Sequence, residues 1–242
     1  MKVITFAKHK GGVGATTLAW GVASVWAEHH RTLIWDFDPQ CSLSLAVAGD
    51  CQVSGYDILS GQKLITEGIH DALPAYGPNL KIIAASNLLA NLDIETASRF
   101  DRGHIVADLL GDLRGFDLVV LDTPPAQNSI LSIGPLAAAD YALLPCSTDD
   151  ASSQQVPRFQ QTLEMVQKRL RPELTWLPIA ANLYQHTQIM DRQVLSNLRE
   201  NYRVFQAVVP KRVSIREEMA ACRPCTNEEI RKLAAEILEE IK

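Results

Sequence analysis

Apolar residues in this chain fall into short, nearly unbroken runs separated by stretches with helical spacing. Residues 3–7, 32–37, 80–84, 118–121, 141–145 and 177–181 form such runs, which predicts strands buried on both faces. Residues 16–28, 105–113, 154–170, 191–201 and 227–241 carry apolar positions at helical intervals, which predicts amphipathic helices. Strands alternating with helices imply βαβ units joined by right-handed crossovers. The expected fold class is α/β, a single doubly wound, mostly parallel sheet with helices on both faces. Residues 50–79 are rich in glycine and polar side chains and predict no regular element. With no repeat, low-complexity tract or linker, one domain over residues 1–242 is expected.

Composition narrows this picture only slightly. A hydrophobic content of 47% and a charged content of 21% are ordinary for a globular protein. A net charge of -5 gives no global attraction to nucleic acid or anionic membrane, so such binding must come from a local patch. No run approaches the roughly 18 apolar residues of a membrane span. The first strand leads straight into a motif with no room for a signal peptide, so a cytoplasmic location is expected. The five cysteines lack framework spacing and are expected as reduced thiols. Cys222-Arg-Pro-Cys225 has CxxC spacing, but neither a second pair nor histidines follow it.

The sharpest signal is Lys10-Gly11-Gly12-Val13-Gly14-Ala15-Thr16-Thr17, between the first strand and the first helix. Glycines let a backbone curl around phosphate oxygens with its N–H groups inward, and the helix N-terminus adds its own free N–H groups and positive dipole end. Thr16 takes the position whose hydroxyl meets Mg²⁺ in a P-loop. The loop departs twice from the standard grammar, with His9 in place of the first glycine and Ala15 in place of the P-loop lysine. Two more strands end in carboxylates. Asp36-Phe37-Asp38-Pro39-Gln40 places two acids at i and i+2, and Asp122-Thr123-Pro124-Pro125 follows a buried run. Phosphoryl transfer needs such groups, one to place a nucleophile and others to hold a metal.

The loop with Lys10 ahead of its glycines resembles the deviant Walker A box of the ParA/MinD family, and the matching segments span nearly the whole chain. The resemblance implies an ATP hydrolase using ATP and Mg²⁺, which forms a homodimer on binding ATP. In it Lys10 would reach across the interface to the partner's nucleotide and Asp38 would orient the attacking water. Asp36, Asp122 and Thr16 would hold Mg²⁺, directly or through its water shell. Asn182 and Pro210 would contact the base, beside the phosphate-binding residues 11–17. The segment 204–218 resembles the ParA side of the family, where basic residues hold non-specific DNA. Lys211, Arg212 and Arg216 would be the carriers here, with Lys168, Arg169 and Arg171 as a second cluster. A ParB-like or other adaptor and nucleoid association in the ATP state are implied as well.

The last predicted helix separates ParA from MinD. Residues 226–242 carry Glu228, Glu229, Glu236, Glu239 and Glu240 on the face opposite the apolar stripe, which an anionic bilayer would repel. Thr226 and Glu229 read as its capping pair. No membrane partner is expected. The nitrogenase iron protein shares the deviant loop, but no cysteine stands beside Asp122 to bind a cluster.

Ala15 conflicts with the rest. A P-loop lysine makes charge-assisted bonds to phosphates, so its loss should weaken binding or transition-state stabilisation by about tenfold to a hundredfold. Lys8 reads as too far back along the first strand to replace it. Slow or absent hydrolysis is therefore expected, with Ala15→Lys raising the rate by at least about tenfold. The alternative is a non-hydrolysing, nucleotide-dependent scaffold of the TadZ/CpaE type, whose loops resemble this one.

Overall fold

The computed structural model describes residues 1–8, 10–49, 51–126 and 128–242, with only the backbone of Asp150. The first half contains β1 (Lys2–Phe6), α1 (Ala15–Trp26), β2 (Thr32–Asp36), α2 (Ser42–Val47), α3 (Gly55–Leu59), β3 (His70–Asp71), β4 (Leu80–Ile83), α4 (Leu92–Glu95), α5 (Ile105–Gly111) and β5 (Leu118–Asp122). The second contains α6 (Ile130–Ala138), β6 (Tyr141–Leu143), β7 (Pro145–Ser147), α7 (Asp150–Ser153), α8 (Val156–Arg169), β8 (Thr175–Trp176), β9 (Ala180–Asn182), α9 (Ile189–Asn201), α10 (Val213–Ala220) and α11 (Glu228–Glu240).

Seven strands form one sheet in the order β3-β4-β2-β5-β1-β6-β8, parallel except for β3 against β4. β1 lies between β5 and β6, so the first strand is central and every side chain from Val3 to Phe6 is buried. Alternate residues feed two apolar layers. Val3, Leu33, Trp35, Val119 and Leu121 face the layer closed by α5, α6 and α8. Ile4, Phe6, Ile34, Val120 and Leu143 face the layer closed by α1, α2 and α11. A doubly wound sheet needs two wet-outside, dry-inside helical layers, and the chain supplies both.

Helix α1 is the pillar of the second layer. Its Gly21 permits close approach to α11, since a Cβ there would stand 2.8 Å from Ile230 Cγ2. Trp26 Nε1 donates to the Ala234 carbonyl of α11 at 3.0 Å, satisfying a polar atom inside an apolar contact. Asn227 caps α11 by accepting from the Glu229 and Ile230 N–H groups, while the Thr226 hydroxyl turns away to donate to Glu218. The expected Thr226 cap is thus corrected by one residue.

The expected strand over 141–145 divides into β6 and β7, and that over 177–181 begins only at Ala180 as β9, with β8 lying just ahead of it. β6 pairs with β8 in the main sheet, and β7 pairs with β9 in a separate two-stranded ladder. Pro178 stands at the break between bonds from Leu177 N to Ala142 O and from Ala180 N to Leu144 O. A proline has no N–H with which to continue a ladder.

Candidate functional site

The C-terminal ends of β1, β5 and β2 lie side by side, with Phe6 paired to Asp122 and Asp122 to Asp36. This is the edge of an open parallel sheet where ligands collect. Residues 11–17 curve from β1 into α1, with Gly12 and Gly14 in the left-handed region at φ 83° and 77°. No side chain caps the N-terminus of α1, so its first N–H groups stay available to a ligand. A cleft of about 520 Å³ opens above the loop. It is lined by Lys8 and residues 11–17, by Asp38, Gln40 and Pro125, and by Arg216, Met219 and Ala220 of α10. That volume suits a nucleotide-sized ligand.

The acids form a connected set. Asp122 is fully buried, its Oδ2 accepts from the Thr16 hydroxyl at 2.8 Å, and its Oδ1 has no hydrogen-bond partner. Burial pushes its carboxyl up to about 7, with Lys8 opposing and Asp36 and Asp38 adding to the rise. Asp36 is also fully buried, and burial raises its carboxyl against the hydrogen bonds that it accepts. Its Oδ1 accepts from Asp38 N at 2.9 Å, and its Oδ2 accepts from Ser44 N at 2.9 Å and Ser44 Oγ at 2.8 Å. Asp36 therefore shapes the turn that carries Asp38, rather than presenting a free oxygen to the cleft. Asp38 leaves its carboxylate at the cleft edge, held through Oδ1 by Gln40 N at 3.1 Å.

Lys8 joins these acids, which corrects the expectation that it lies too far back. Its Nζ donates to Thr16 Oγ1 at 2.7 Å and Asp38 Oδ2 at 3.1 Å, and stands 3.6 Å from Asp122 Oδ1. Its side chain is 7% exposed. Burial disfavours its charge, yet Asp122 and Asp38 outweigh that and raise its pKa. The signal for it in the sequence was a charged side chain at the mouth of an otherwise apolar first strand.

Other expected residues lie as follows. Lys10 points away from this cleft: its Nζ donates to Asp149 Oδ1 at 3.1 Å and Ser152 Oγ at 3.3 Å. Asp149, although burial opposes it, is held at about 2 by hydrogen bonds from Ser147, Lys10 and Ser152. Asn182 is buried beneath the loop, its Nδ2 donating to the Val13 carbonyl at 2.8 Å. Pro210 pairs with Tyr184 in an isolated bridge and does not line the cleft. Lys211 and Arg212 are exposed ahead of α10, whereas Arg216 forms part of the cleft wall. His9 lies outside the described residues. Ser44, buried against Asp36, is the residue that spacing did not indicate, and Arg216, expected as a DNA contact, lines the cleft instead.

The two CxxC cysteines do not form a site. Cys225 is 2% exposed, and burial pushes its thiol up to about 11; Cys146 is as buried and reaches about 12. Among the described residues no cluster of His, Cys, Asp or Glu could hold a metal ion by itself. Native alkylation at pH 8 is expected to leave both thiols unmodified, since the thiolate fraction at pKa 11 is about one in a thousand. Mass spectrometry before and after denaturation checks this, and rapid native labelling of Cys225 would contradict it. Among the described residues no helix is long and apolar enough to cross a membrane.

The chain matches the AAA domain family over residues 1–176. It is 27% identical over 233 residues to the chromosome partitioning protein ParA of Caulobacter vibrioides, covering 93% of this chain and 86% of that one. It is 30% identical over 217 residues to the chromosome-partitioning ATPase Soj of Thermus thermophilus, covering 88% and 83%. Among solved structures it superposes on apo McdA of Cyanothece with a TM-score of 0.90 at 17% identity, covering 100% of both chains. It superposes on cobyrinic acid a,c-diamide synthase of Mycobacterium smegmatis, solved with an ATP analog and magnesium, with a TM-score of 0.87 at 24% identity, covering 100% and 96%. These structural likenesses confirm the fold. With the relatives and the matched segment covering most of its length, the chain belongs to the ParA/MinD family of ATPases.

Proposed function

We propose that this chain is an ATP-driven switch of the partition type, which binds ATP with Mg²⁺, dimerises in that state and then holds DNA without sequence preference. The observation that carries the reading is the meeting of Thr16, Asp38 and Asp122 at the open end of a glycine loop. Asp122 Oδ1 is buried and lacks a hydrogen-bond partner there. Such an atom suits a cation, and the donor set is all oxygen, as Mg²⁺ prefers. Thr16 and Asp122 would hold the metal, with Asp36 supporting the turn beside them. Held by those residues, Mg²⁺ would supply positive charge to offset that of the phosphates. Asp38, partly buried at the cleft edge, would orient a water for attack on the terminal phosphate. The loop N–H groups and the start of α1 would receive the remaining oxygens.

Lys10 supports the dimer. It is 40% exposed and held by a surface pair worth no more than about 1 kcal/mol, so it is readily released toward a second subunit. Lys211 and Arg212 would contact DNA phosphates. The adaptor would be a partner that engages the ATP-bound dimer. The scaffold reading rests on Ala15 alone, and the presence of Lys8 in the cleft weighs against it.

Sedimentation with ATP–Mg²⁺, ADP–Mg²⁺ and no nucleotide tests this reading. A dimer is expected with ATP only, and Lys10→Ala is expected to remain monomeric. DNA cosedimentation should require ATP and fall steeply between about 50 and 200 mM salt, and Arg212→Glu should abolish it. A monomer under saturating ATP would overturn the assembly.

A further inference from the structure

The charges of the cleft present a problem that its sequence motif leaves unsolved. Asp36, Asp38 and Asp122 converge on one end of the loop, and two of the three are fully buried. A nucleotide polyphosphate would bring further negative charge to the same place. Position 15, where a lysine would offset it, carries a methyl group, and Ala15 is itself 2% exposed. Lys10 is turned onto Asp149 and Ser152. Among the described residues, the cations lining the cleft are Lys8 and Arg216, and Arg216 stands on the α10 wall.

Lys8 is the one beside the loop. Its Nζ is 2.7 Å from the hydroxyl of Thr16, the residue immediately after Ala15. Its ammonium thus reaches, from the end of β1, the part of the cleft served from position 15 in an ordinary P-loop. It also occupies the space between Thr16, Asp38 and Asp122, a position suited to a divalent cation. The ammonium and the metal ion cannot share that position. A lysine has a flexible four-carbon stem and a compact charge, so a small rotation moves the ammonium away from the carboxylates without its leaving the cleft. Phosphate oxygens entering with the metal would be its nearest new partners.

We propose that Lys8 is the phosphate-binding lysine of this cleft, assuming from β1 the role that Ala15 cannot perform and yielding the Thr16–Asp38–Asp122 position to the metal when nucleotide enters. This rests on the reading that the cleft binds ATP with Mg²⁺. In the nucleotide-free chain the ammonium keeps the buried acids compensated. In the loaded chain it compensates the phosphates.

The test is a titration of ATP, ADP and AMP into four proteins: the unaltered chain, Lys8→Met, Ala15→Lys and the double variant. Lys8→Met is expected to weaken ATP and ADP by about tenfold to a hundredfold while leaving AMP unchanged. The double variant should regain ATP affinity to within about threefold of the unaltered chain, whereas Ala15→Lys alone should gain less than about threefold. Mg²⁺ alone should raise the melting temperature of nucleotide-free Lys8→Met and not that of the unaltered chain. Equal ATP affinity in the unaltered chain and Lys8→Met overturns the assignment, as does a gain of about tenfold or more from Ala15→Lys alone. If the unaltered chain binds no ATP, the nucleotide reading fails as well, which distinguishes the two failures. Should Lys8→Met not fold, Lys8→Gln replaces it. In ¹³C-lysine-labelled unaltered protein the Lys8 resonance should move with ADP and ATP but not AMP, and a resonance indifferent to all three overturns the proposal.

Discussion

Gly14→Ala is expected to reduce nucleotide affinity by about a hundredfold or more while leaving the chain folded. Gly14 has φ 77°, and a Cβ built on it would stand 2.3 Å from Asn182 Nδ2. The left-handed conformation costs a non-glycine residue about 1–2 kcal/mol. The clash adds to this because Asn182 cannot retreat. It is 3% exposed and its Nδ2 is bound to the Val13 carbonyl at 2.8 Å. Moving it loses a buried hydrogen bond worth about 1 kcal/mol and frees the loop that it supports. The loop is therefore the part that gives, and its N–H groups lose the curvature that phosphate needs. Calorimetric titration with ATP, alongside a thermal melt, checks the result. Asn182→Ala introduced with Gly14→Ala removes the obstructing atom and should recover part of the affinity. Binding within about threefold of the unaltered chain would show that the loop tolerates a side chain there.

The second large effect is on stability. Asp36→Ala is expected to lower the unfolding free energy of the nucleotide-free chain by about 3 kcal/mol. The carboxylate accepts three hydrogen bonds, from Asp38 N, Ser44 N and Ser44 Oγ, in a place without solvent. Removing it leaves two backbone donors and a hydroxyl facing a small void. Ser44 Oγ also accepts from Ala85 N at 2.7 Å, so the disturbance reaches the loop after β4. Desolvation of the carboxylate offsets part of the loss, which keeps the figure well below the sum of three charged hydrogen bonds. Asp36→Asn keeps the shape and one acceptor and should lose less than half as much. Urea unfolding monitored by circular dichroism measures both, and an Asp36→Ala chain as stable as the parent would show that burial of the charge cancels its bonds.

Much of this was legible in the sequence because two periodicities rarely mislead when they alternate. The runs at 32–37, 80–84 and 118–121 became β2, β4 and β5, with boundaries shifted by no more than two residues. The phosphate loop was legible because glycines at those spacings have few other uses. Helix α6 was not read at all, since Pro135 interrupts the pattern inside it. The divided strands were missed because a proline removes a hydrogen bond without changing the apolar run around it. Lys8 was misjudged for a different reason. Distance counted along the chain treats residues 8 and 16 as remote, yet the loop turns back on itself and brings the Thr16 hydroxyl over the end of β1. Long side chains make such errors common, because their functional atom lies several ångströms from the position that spacing describes. Asn182 shows the same limit, since nothing local in β9 indicates that its partner is Val13.

The central position of β1 bears on how the chain is made. The strand precedes both its neighbours, which begin at Leu118 and Tyr141, so a ribosome must add more than a hundred residues after it before either exists. At ordinary synthesis rates that interval is on the order of ten seconds. Throughout it, β1 has α1 available to cover Ile4 and Phe6 but no strand to pair with on either side, and Val3 lacks the helices α6 and α8 of its own layer. Pairings separated by this much sequence are entropically slow to close. The ATP-binding end of the molecule is therefore translated well before the strands that complete it, and a nascent chain stalled before β5 would carry the whole glycine motif without a pocket around it.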